Sequence, residues 1–480
     1  MRRGVLFSVV LCGAAAAAPA LAVLGTDPSR SSSERASALA RDAGPAGDAA
    51  GVRASRVVEY RGLRIPVPAG WEVHDLDRDP LRCVRYDRRA LYLGRPGPEP
   101  DCPARIVGRT EAVHIQPSGG SAPPAGRLVT GDSLARLTVP QTVDQELRLD
   151  LREAGVTITG VYGTDPAALQ RMLRGARLTG RPPAASRVPE TSRTGAGHES
   201  PGPREPGPLP PSPSVAEPAR PDTPRPGSPR PGPSESSTPR ASGSQAGAAP
   251  AAPKKWVRGK GFDTCAAPSI AAMKAWRPSF KVTNIYIGGA ARGCAQPNLT
   301  ERWVREVREM GYRITPTYVG LQAPCGSRPQ RFTAKNAASQ GRKAAVDAAG
   351  KAGALGIPAG APIYFDMEAY AGRKKACKAA VLRFVDNWVR RLKVEGYTPC
   401  LYSSVTSGIR DVGRATGIGK PECVWFAHWN GKAQVYGDPF IPDDWWRPHR
   451  RIKQYRGDHY ETHGGVTLNI DGNIADGLAF

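Results

Sequence analysis

From residue 256 to the end, short β-branched and aromatic runs alternate with longer stretches whose apolar positions recur every three or four residues. This alternation is typical of strands and amphipathic helices in a parallel α/β sheet. Eight strands are predicted, at 259–263, 282–287, 312–319, 363–368, 397–402, 423–427, 451–455 and 466–471. Eight strands in about 225 residues predict a (β/α)8 TIM-like barrel with some crossover helices abbreviated. An open doubly wound sheet is the alternative, although no Gly-rich phosphate turn follows the first strand.

The clearest helical pattern follows the fourth strand. Its apolar stripe comprises Val381, Phe384, Val385, Trp388, Val389 and Leu392, and Gly396 ends it. Such spacing predicts an amphipathic helix packed on the sheet.

Before residue 256 the pattern changes three times. Residues 56–180 contain short strand patterns, a helix near residue 169 and the candidate core residue Trp71, which predict a small α+β domain whose role the sequence does not give. Residues 23–55 lack large apolar side chains, and residues 181–253 are rich in Pro, Ser, Gly, Arg and Ala. The first of these is predicted to be disordered and the second to be an extended linker.

The N-terminus has the features of a secretory signal peptide. Arg2 and Arg3 precede an apolar run, and Ala20-Leu21-Ala22 is a small-x-small cleavage site. Residues 1–22 are therefore predicted to be removed. No later stretch is long and apolar enough to span a bilayer, so a secreted or cell-envelope-associated protein is expected.

The charge and cysteine content refine this picture. The formal net charge is +24, but the basic residues are scattered and no nucleic-acid-binding motif is present, so no nucleic-acid partner is expected. Eight cysteines remain after Cys12 of the leader is set aside, an even number that indicates disulfides in an oxidising compartment. The pairs expected are Cys83–Cys102, Cys265–Cys294, Cys325–Cys377 and Cys400–Cys423. Spacing alone leaves fifteen pairings open for the last six.

Candidate chemistry lies in the fourth strand. Side chains alternate along a strand, so Tyr364, Asp366 and Glu368 share one face while Ile363 and its apolar partners face the helices. Two carboxylates this close raise each other's pKa, which can keep one protonated while the other stays charged.

Other polar residues lie at the ends of the remaining strands. Asp263 ends the first strand and Asp471 the eighth, and strands one and eight are neighbours in a closed barrel. The candidate catalytic residues are Glu368, Asp366, Asp263 and Asp471. The candidate substrate-binding residues are Tyr286, Tyr318, Tyr402, Trp425 and Gln454. Carboxylates flanked by aromatic rings suit a sugar, whose faces stack on rings and whose glycosidic oxygen needs a proton donor. His428, His459 and His463 share no ligand spacing, so no metal and no cofactor are expected.

Four segments carry a family resemblance: 261–265 (GFDTC), 364–368 (YFDME), 401–404 (LYSS) and 470–473 (IDGN). Together they resemble the glycoside-hydrolase-like domain of unknown function 1906, a secreted bacterial barrel related to the family 25 lysozymes, over about residues 256–480. The resemblance implies that Glu368 is a general acid and that Asp366 orients an acetamido group or stabilises a charged intermediate. It also implies that Asp263 and Asp471 set the electrostatics and position water or sugar.

Three hypotheses follow. The first is a secreted glycoside hydrolase acting on a cell-wall or other extracellular glycan, with peptidoglycan one candidate. The alternative is a catalytically weak or inactive glycan-binding module of the cell envelope, and the third is a structural envelope protein that uses the barrel as a scaffold. The linkage and the stereochemical course do not follow from the sequence.

Overall fold

The computed structural model describes residues 54–119, 126–180 and 256–480. The predicted signal peptide, almost all of segment 23–55 and the predicted linker at 181–253 lie outside the described residues. Within the described ranges, no helix combines the length and apolar character needed to cross a membrane.

The described residues up to 180 form a small domain of two sheets and two short helices. Its elements are β1 (Ala54–Tyr60), β2 (Leu63–Pro68), β3 (Glu72–Asp75), β4 (Ala90–Leu93), β5 (Ala112–Pro117), β6 (Arg127–Val129), α1 (Gly131–Ala135), β7 (Glu146–Leu151), β8 (Val156–Val161), α2 (Ala167–Gly175) and β9 (Arg177–Leu178). One sheet has the order β1-β2-β9 and the other β3-β4-β5-β8-β7-β6. Leu91, Val113, Leu149 and Ile158 fill its core together with Trp71, so the expected small α+β domain is present.

The C-terminal region is a closed eight-stranded barrel. Its elements are β10 (Trp256–Asp263), α3 (Ile270–Trp276), β11 (Val282–Gly288), α4 (Glu301–Glu309), β12 (Arg313–Tyr318), α5 (Ala337–Gly353), β13 (Pro362–Met367), α6 (Lys375–Val394), β14 (Thr398–Ser404), α7 (Arg410–Arg414), β15 (Cys423–Ala427), β16 (Arg451–His463) and β17 (Val466–Leu478). The strands follow one another around the barrel in chain order. The alternative of an open doubly wound sheet is wrong.

The barrel departs from an all-parallel ring at its last strand. Strands β10 to β16 run parallel to one another, but β17 is antiparallel to both of its neighbours, β16 and β10. Only Gly464 and Gly465 separate β16 from β17, and both have positive φ angles, 56° and 79°. A two-residue turn joins antiparallel strands, whereas a parallel connection needs a dozen or more residues. The eighth strand therefore enters in the opposite direction to the one expected.

Strand β13 shows why side-chain alternation matters for the site. Ile363, Phe365 and Met367 pack with the surrounding helices. Tyr364 packs instead with Tyr402 and other residues of the barrel interior. The predicted division of this strand into two faces is confirmed, so the carboxylate of Asp366 points inward.

All four expected disulfides are present: Cys83–Cys102, Cys265–Cys294, Cys325–Cys377 and Cys400–Cys423. Cys400 and Cys423 are register partners on the neighbouring parallel strands β14 and β15. Persistent disulfides form in oxidising compartments, so this set indicates an extracellular or cell-envelope location.

The small domain and the barrel pack into one compact unit. Backbone bonds cross the boundary, since the amide of Tyr86 donates to the carbonyl of Gly293 (2.8 Å) and that of Gly108 to the carbonyl of Ala291 (2.8 Å). Below them lies a buried ion cluster in which the carboxylate of Glu146 accepts from Arg109 (3.0 Å) and from Arg292 (2.9 Å). The segment just before Arg109 consequently lies against the barrel.

Candidate active site

The carboxylates of Asp366 and Glu368 are held by the end of β13. The amide side chain of Gln322 fixes this turn, because its Nε2 donates to the carbonyl of Asp366 (2.7 Å) and its Oε1 accepts from the backbone amide of Glu368 (2.7 Å). Asp366 is 1% exposed and Glu368 is 8% exposed. The backbone of both acids is therefore held by Gln322, and both side chains are nearly excluded from water.

Asp263 and Asp471 form a second buried pair. They are register partners on the neighbouring strands β10 and β17, which puts their side chains on one face. The Nε2 atom of Gln454 donates to both oxygens of Asp263 (3.2 and 3.1 Å) and to Oδ2 of Asp471 (3.0 Å). Asn473 adds a bond to Oδ1 of Asp263 (2.5 Å). The reversed direction of β17 thus still brings Asp471 beside Asp263.

A chain of contacts joins the two pairs. The Tyr402 hydroxyl donates to Oε1 of Gln454 (2.9 Å) and accepts a hydrogen bond from Arg105. The same Nη1 atom of Arg105 lies 3.4 Å from Oε1 of Glu368. Four acids from three separate parts of the barrel sequence therefore border one small region at its mouth.

The two acids of β13 differ in charge. Burial, reinforced by the neighbouring Glu368, raises the pKa of Asp366 well above its ordinary value. Burial also acts to raise the pKa of Glu368, but the guanidinium groups of Arg105 and Arg328 outweigh it and bring that pKa below its ordinary value. Arg328 donates to Oε2 of Glu368 (2.9 Å). The surroundings therefore favour the protonated form at Asp366 and the charged form at Glu368, and one buried oxygen of each, Oδ1 of Asp366 and Oε1 of Glu368, has no hydrogen-bond partner among the described residues.

The second pair is also poised to hold a proton. Burial, reinforced by the Asp471 carboxyl, raises the pKa of Asp263 to about 8. Burial likewise raises the pKa of Asp471, although Arg105 opposes the change. At neutral pH the site therefore combines protonated and charged carboxyl groups, the combination that acid catalysis at a glycosidic oxygen requires.

Three of the predicted aromatic residues lie inside the barrel as partners of these polar groups. The Tyr286 hydroxyl donates to Oδ2 of Asp263 (3.2 Å), and Nε1 of Trp425 donates to Oδ1 of Asn473 (2.8 Å). Tyr402 bonds Gln454 as described above. All three rings are at most 4% exposed, so in this structure they hold the acids in place and offer no open stacking surface.

Tyr318 is not brought to the site. Its ring packs against Phe365 and Trp388 on the helix side of β12, and its hydroxyl donates to Oδ2 of Asp347 in α5 (2.7 Å). On β12 the inward positions are occupied by Thr315 and Thr317, which bond Asn284 inside the barrel. Alternation along the strand therefore sends Tyr318 outward.

Sequence reasoning missed three residues at the mouth: Arg105, Arg328 and Trp429. Trp429 is 56% exposed, and its Nε1 donates to Oε1 of Gln454 (2.9 Å). The Arg105 guanidinium lies over the rings of Tyr402 and Trp429, 5.2 and 5.8 Å from their centroids. Trp429 directly follows His428 at the end of the sixth predicted strand, a position that could have suggested it. The sequence carried no comparable signal for the two arginines.

Three histidines of the barrel are engaged with carboxylates. His428 bonds Asp438 (2.7 Å), whereas His459 and His463 both bond Glu461 (2.9 Å each). The sulfur atoms of Cys83, Cys102 and Cys294 lie close together, but each belongs to a disulfide and none is a free thiolate. A cysteine binds a metal ion through a free thiolate, so this cluster of disulfide sulfurs does not fit a metal ion.

Comparison with protein families supports the resemblance drawn from the sequence. Residues 274–475 match the model of the Rv2525c-like, glycoside hydrolase-like domain. The predicted resemblance to a glycoside-hydrolase-like domain is thus confirmed for this part of the chain. No curated protein matches the chain.

Several solved structures are similar to part of the chain. One is an uncharacterised protein of B. stearothermophilus, 20% identical, covering 46% of this chain and 99% of its own, with a TM-score of 0.32. A second is the Clostridium perfringens spore cortex lytic enzyme SleM, 16% identical, covering 42% and 63%, with a TM-score of 0.30. A third is the muramidase from Acremonium alcalophilum, 15% identical, covering 45% and 92%, with a TM-score of 0.29.

Proposed function

We propose that the barrel hydrolyses glycosidic bonds in a cell-wall or other extracellular glycan. The observation that carries this proposal is the convergence of Asp263, Asp366, Glu368 and Asp471 at one end of a closed barrel, with protonated and charged carboxyl groups side by side. The match of residues 274–475 to a glycoside hydrolase-like domain supports the same reaction class. The four disulfides suit a protein that meets its glycan outside the cytoplasm.

The proposed mechanism assigns the proton donor to Glu368. Asp366 favours its protonated form, and its proton would pass to Glu368 once the arginine partners no longer hold Glu368 in the charged form. Transfer of that proton to the glycosidic oxygen breaks the bond between this oxygen and the anomeric carbon. Asp366, then ionised, stabilises the positive charge that develops on the sugar ring. Water completes the reaction, giving a new reducing end and returning a proton to the carboxyl pair.

Asp263 and Asp471 would support this step from the other side of the mouth. Gln454 holds their carboxyl groups 3.0–3.2 Å from its own nitrogen, so their positions are fixed before any substrate arrives. A fixed negative charge near the reacting carbon stabilises an oxocarbenium-like transition state without reorganisation. We therefore assign these two residues to electrostatic stabilisation and to the positioning of water or sugar.

The test compares the full-length protein with Glu368→Gln on a panel of extracellular polysaccharides that includes peptidoglycan and chitin. Loss of a general acid lowers turnover about 100-fold or more, so the variant is expected to release almost no new reducing ends. Glu309→Gln, a change in an exposed carboxylate at the end of α4, is the matched control. Equal release of reducing ends by the wild type and Glu368→Gln would refute the assignment.

A second candidate function is glycan binding without cleavage. One observation favours it: Arg105 and Arg328 hold Glu368 in its charged form, which cannot donate a proton. On this account the wild type binds a glycan of the panel, the glycan is recovered intact, and removal of either arginine does not produce turnover. Affinity measurements on the same panel separate the two candidates.

A further inference from the structure

We propose that the N-terminal domain is a built-in inhibitor of the barrel, with residues 103–109, here called the strap, closing the barrel mouth. This inference rests on the proposed function, since it concerns access to the same four acids. It also gives the N-terminal domain a role, which its sequence does not suggest.

The strap is fixed to the barrel at its C-terminal end. The backbone amide of Arg109 donates to Oε1 of Gln330 (2.7 Å), and Nε2 of Gln330 donates back to the carbonyl of Arg109 (2.6 Å). Nε of Arg109 donates to the carbonyl of Arg292 (2.6 Å). Val107 pairs with Arg292 in a short antiparallel bridge and packs on Tyr286 and Val319.

The strap is also held at its N-terminal end. The Cys83–Cys102 disulfide of the N-terminal domain packs against the Cys265–Cys294 disulfide of the barrel, and Ile106 covers both. The backbone amide of Ser269 donates to Oε1 of Glu99 (3.0 Å), just upstream. Because both flanks are pinned, the residues between them are held over the mouth.

Arg105 is the part of the strap that reaches the acids. Its Nη1 bonds the Tyr402 hydroxyl and lies 3.4 Å from Oε1 of Glu368, and its side chain is 13% exposed. Its charge also acts on the more distant carboxyl groups of Asp366, Asp263 and Asp471. One residue of the N-terminal domain therefore supplies a cation to all four candidate catalytic residues of the barrel.

This arrangement is incompatible with a bound glycan. A proton donor must lie about 3 Å from the oxygen that it protonates, but the proposed donor Glu368 is only 8% exposed, and Asp263, Asp366 and Asp471 are at most 2% exposed. Val107 covers Tyr286, one of the residues that support Asp263. A sugar can approach these groups only after the strap has moved away from the mouth.

Arg105 also favours the charged form of Glu368, which cannot act as the proton donor. Arg105 and Arg328 together favour the charged form of Glu368, so loss of Arg105 removes one of the two cations that oppose its protonation. Displacement of the strap would thus open the mouth and let Glu368 take up the proton that the proposed mechanism needs. Closure and inactivity are two effects of the same contact.

Two full-length variants test the proposal. Arg105→Ala removes the cation and leaves the rest of the strap. Gly293→Ala pushes on the strap without altering a charged group, because a Cβ atom at Gly293 would lie 2.3 Å from Cγ2 and 2.6 Å from the carbonyl oxygen of Ile106. Arg78→Ala, on the surface of the N-terminal domain, is the matched control, since the Arg78 side chain is 89% exposed.

The main measurement is independent of glycan turnover. A water-soluble carbodiimide with excess amine labels accessible, protonated carboxyl groups, and peptide mass spectrometry gives the labelling rate at Asp366 and Glu368. The labelling rate is expected to rise about tenfold or more in Arg105→Ala and in Gly293→Ala. The reason is a pKa change of about one unit or more together with better access of the reagent. Arg78→Ala is expected to label at the wild-type rate. Unchanged labelling in both test variants overturns the proposal.

Turnover of the glycan panel then separates this proposal from the proposed function. Faster labelling with faster release of reducing ends supports both. Faster labelling with no release from any glycan supports the strap as a cover and contradicts hydrolysis. Slower turnover in Arg105→Ala than in the wild type would mean that Arg105 assists the reaction, which overturns inhibition.

Discussion

The charge on Glu368 is decided by competition between burial and two guanidinium groups. Burial alone favours the neutral acid, as at Asp366 two residues earlier. At Glu368 the guanidinium groups of Arg105 and Arg328 outweigh burial. An opposite charge within a few ångströms stabilises the ionised form of a carboxyl group in a poorly hydrated site. The surroundings thus shift the pKa values of two acids on one strand face in opposite directions.

Asp263 gives a pH prediction at this scale. Its pKa is about 8 in the folded protein and 3.8 ordinarily, so between these values the folded state keeps a proton that the unfolded chain has lost. The stability that protonated Asp263 contributes is therefore complete below about pH 4 and is lost as the pH rises to about 8. Asp263→Asn is expected to reduce this decline in the free energy of unfolding.

Urea denaturation of both proteins at pH 4, 6 and 8 checks this expectation. Asp132→Asn, at an exposed residue of the N-terminal domain, serves as the control and is expected to keep the wild-type slope. A slope in Asp263→Asn as steep as that of the wild type contradicts a raised pKa at Asp263.

At the residue scale the sequence predicted the acids better than their partners. Alternation along a strand was enough to place Asp366 inward and Ile363 outward. Alternation also applies to the third predicted strand, but it does not tell which of the two strand faces meets the helices. Tyr318 lies on the face that does. Arg105 could not be predicted, since its contact with Tyr402 joins residues 297 positions apart in different domains.

Among the elements, α6 is the helix whose packing follows most directly from its sequence. All six residues of the predicted stripe, Val381, Phe384, Val385, Trp388, Val389 and Leu392, are at most 1% exposed. Phe384 stacks on Phe332 with a centroid distance of 4.5 Å and contacts Phe365 of β13 at 4.9 Å. This helix therefore braces the strand that carries Asp366.

Phe384→Ala is expected to destabilise the protein by about 3–5 kcal/mol, because a large cavity opens between α6 and β13. Val394 on the same helix is 75% exposed, and Val394→Ala is expected to change the free energy of unfolding by no more than about 0.5 kcal/mol. Urea denaturation measures both. Similar losses in the two variants would mean that the stripe does not anchor the helix.

The last two strands mark the limit of prediction at the element scale. Segments 451–455 and 466–471 were recognised as strands, but residues 456–463 alternate between partly and fully exposed and gave no clear boundary. The buried part of β17 begins at Ile470 and continues beyond the predicted strand end. The direction of β17 depends on the Gly464-Gly465 turn, which a barrel of eight parallel strands does not contain. Antiparallel pairing of β17 with β10 brings Asp471 beside Asp263.

For the whole molecule, the buried cluster around Glu146 joins the N-terminal domain to the barrel. Its side chain is 6% exposed and accepts from Arg109 and Arg148 of the N-terminal domain and from Arg292 of the barrel. Surrounding positive charge lowers the pKa of Glu146 well below its ordinary value despite burial. The two parts are therefore expected to unfold together.

Glu146→Ala would leave buried arginines without a carboxylate, at a cost of about 3–5 kcal/mol. Because the loss falls on the boundary, thermal unfolding followed by calorimetry is expected to separate into two transitions. Glu59→Ala, at an exposed residue of β1, is the control and is expected to keep the wild-type profile. A single transition in Glu146→Ala, shifted no more than that of the control, would contradict the coupling.

At this scale the sequence predicted a closed barrel and a separate small α+β domain, since each has its own hydrophobic pattern. It did not predict that the two would pack together, because the boundary includes arginines and carboxylates that look like ordinary surface residues in a chain of net charge +24. The role of the small domain consequently became visible only from the position of Arg105.

The measurement that tests the central claim most directly is the release of new reducing ends from a common glycan by Arg105→Ala and by the double variant Arg105→Ala/Glu368→Gln. The account predicts faster release than the wild type for the single variant and loss of that release, about 100-fold or more, for the double variant. Release by the double variant at the rate of Arg105→Ala would contradict it, because the glycan would then be cleaved without the proposed acid.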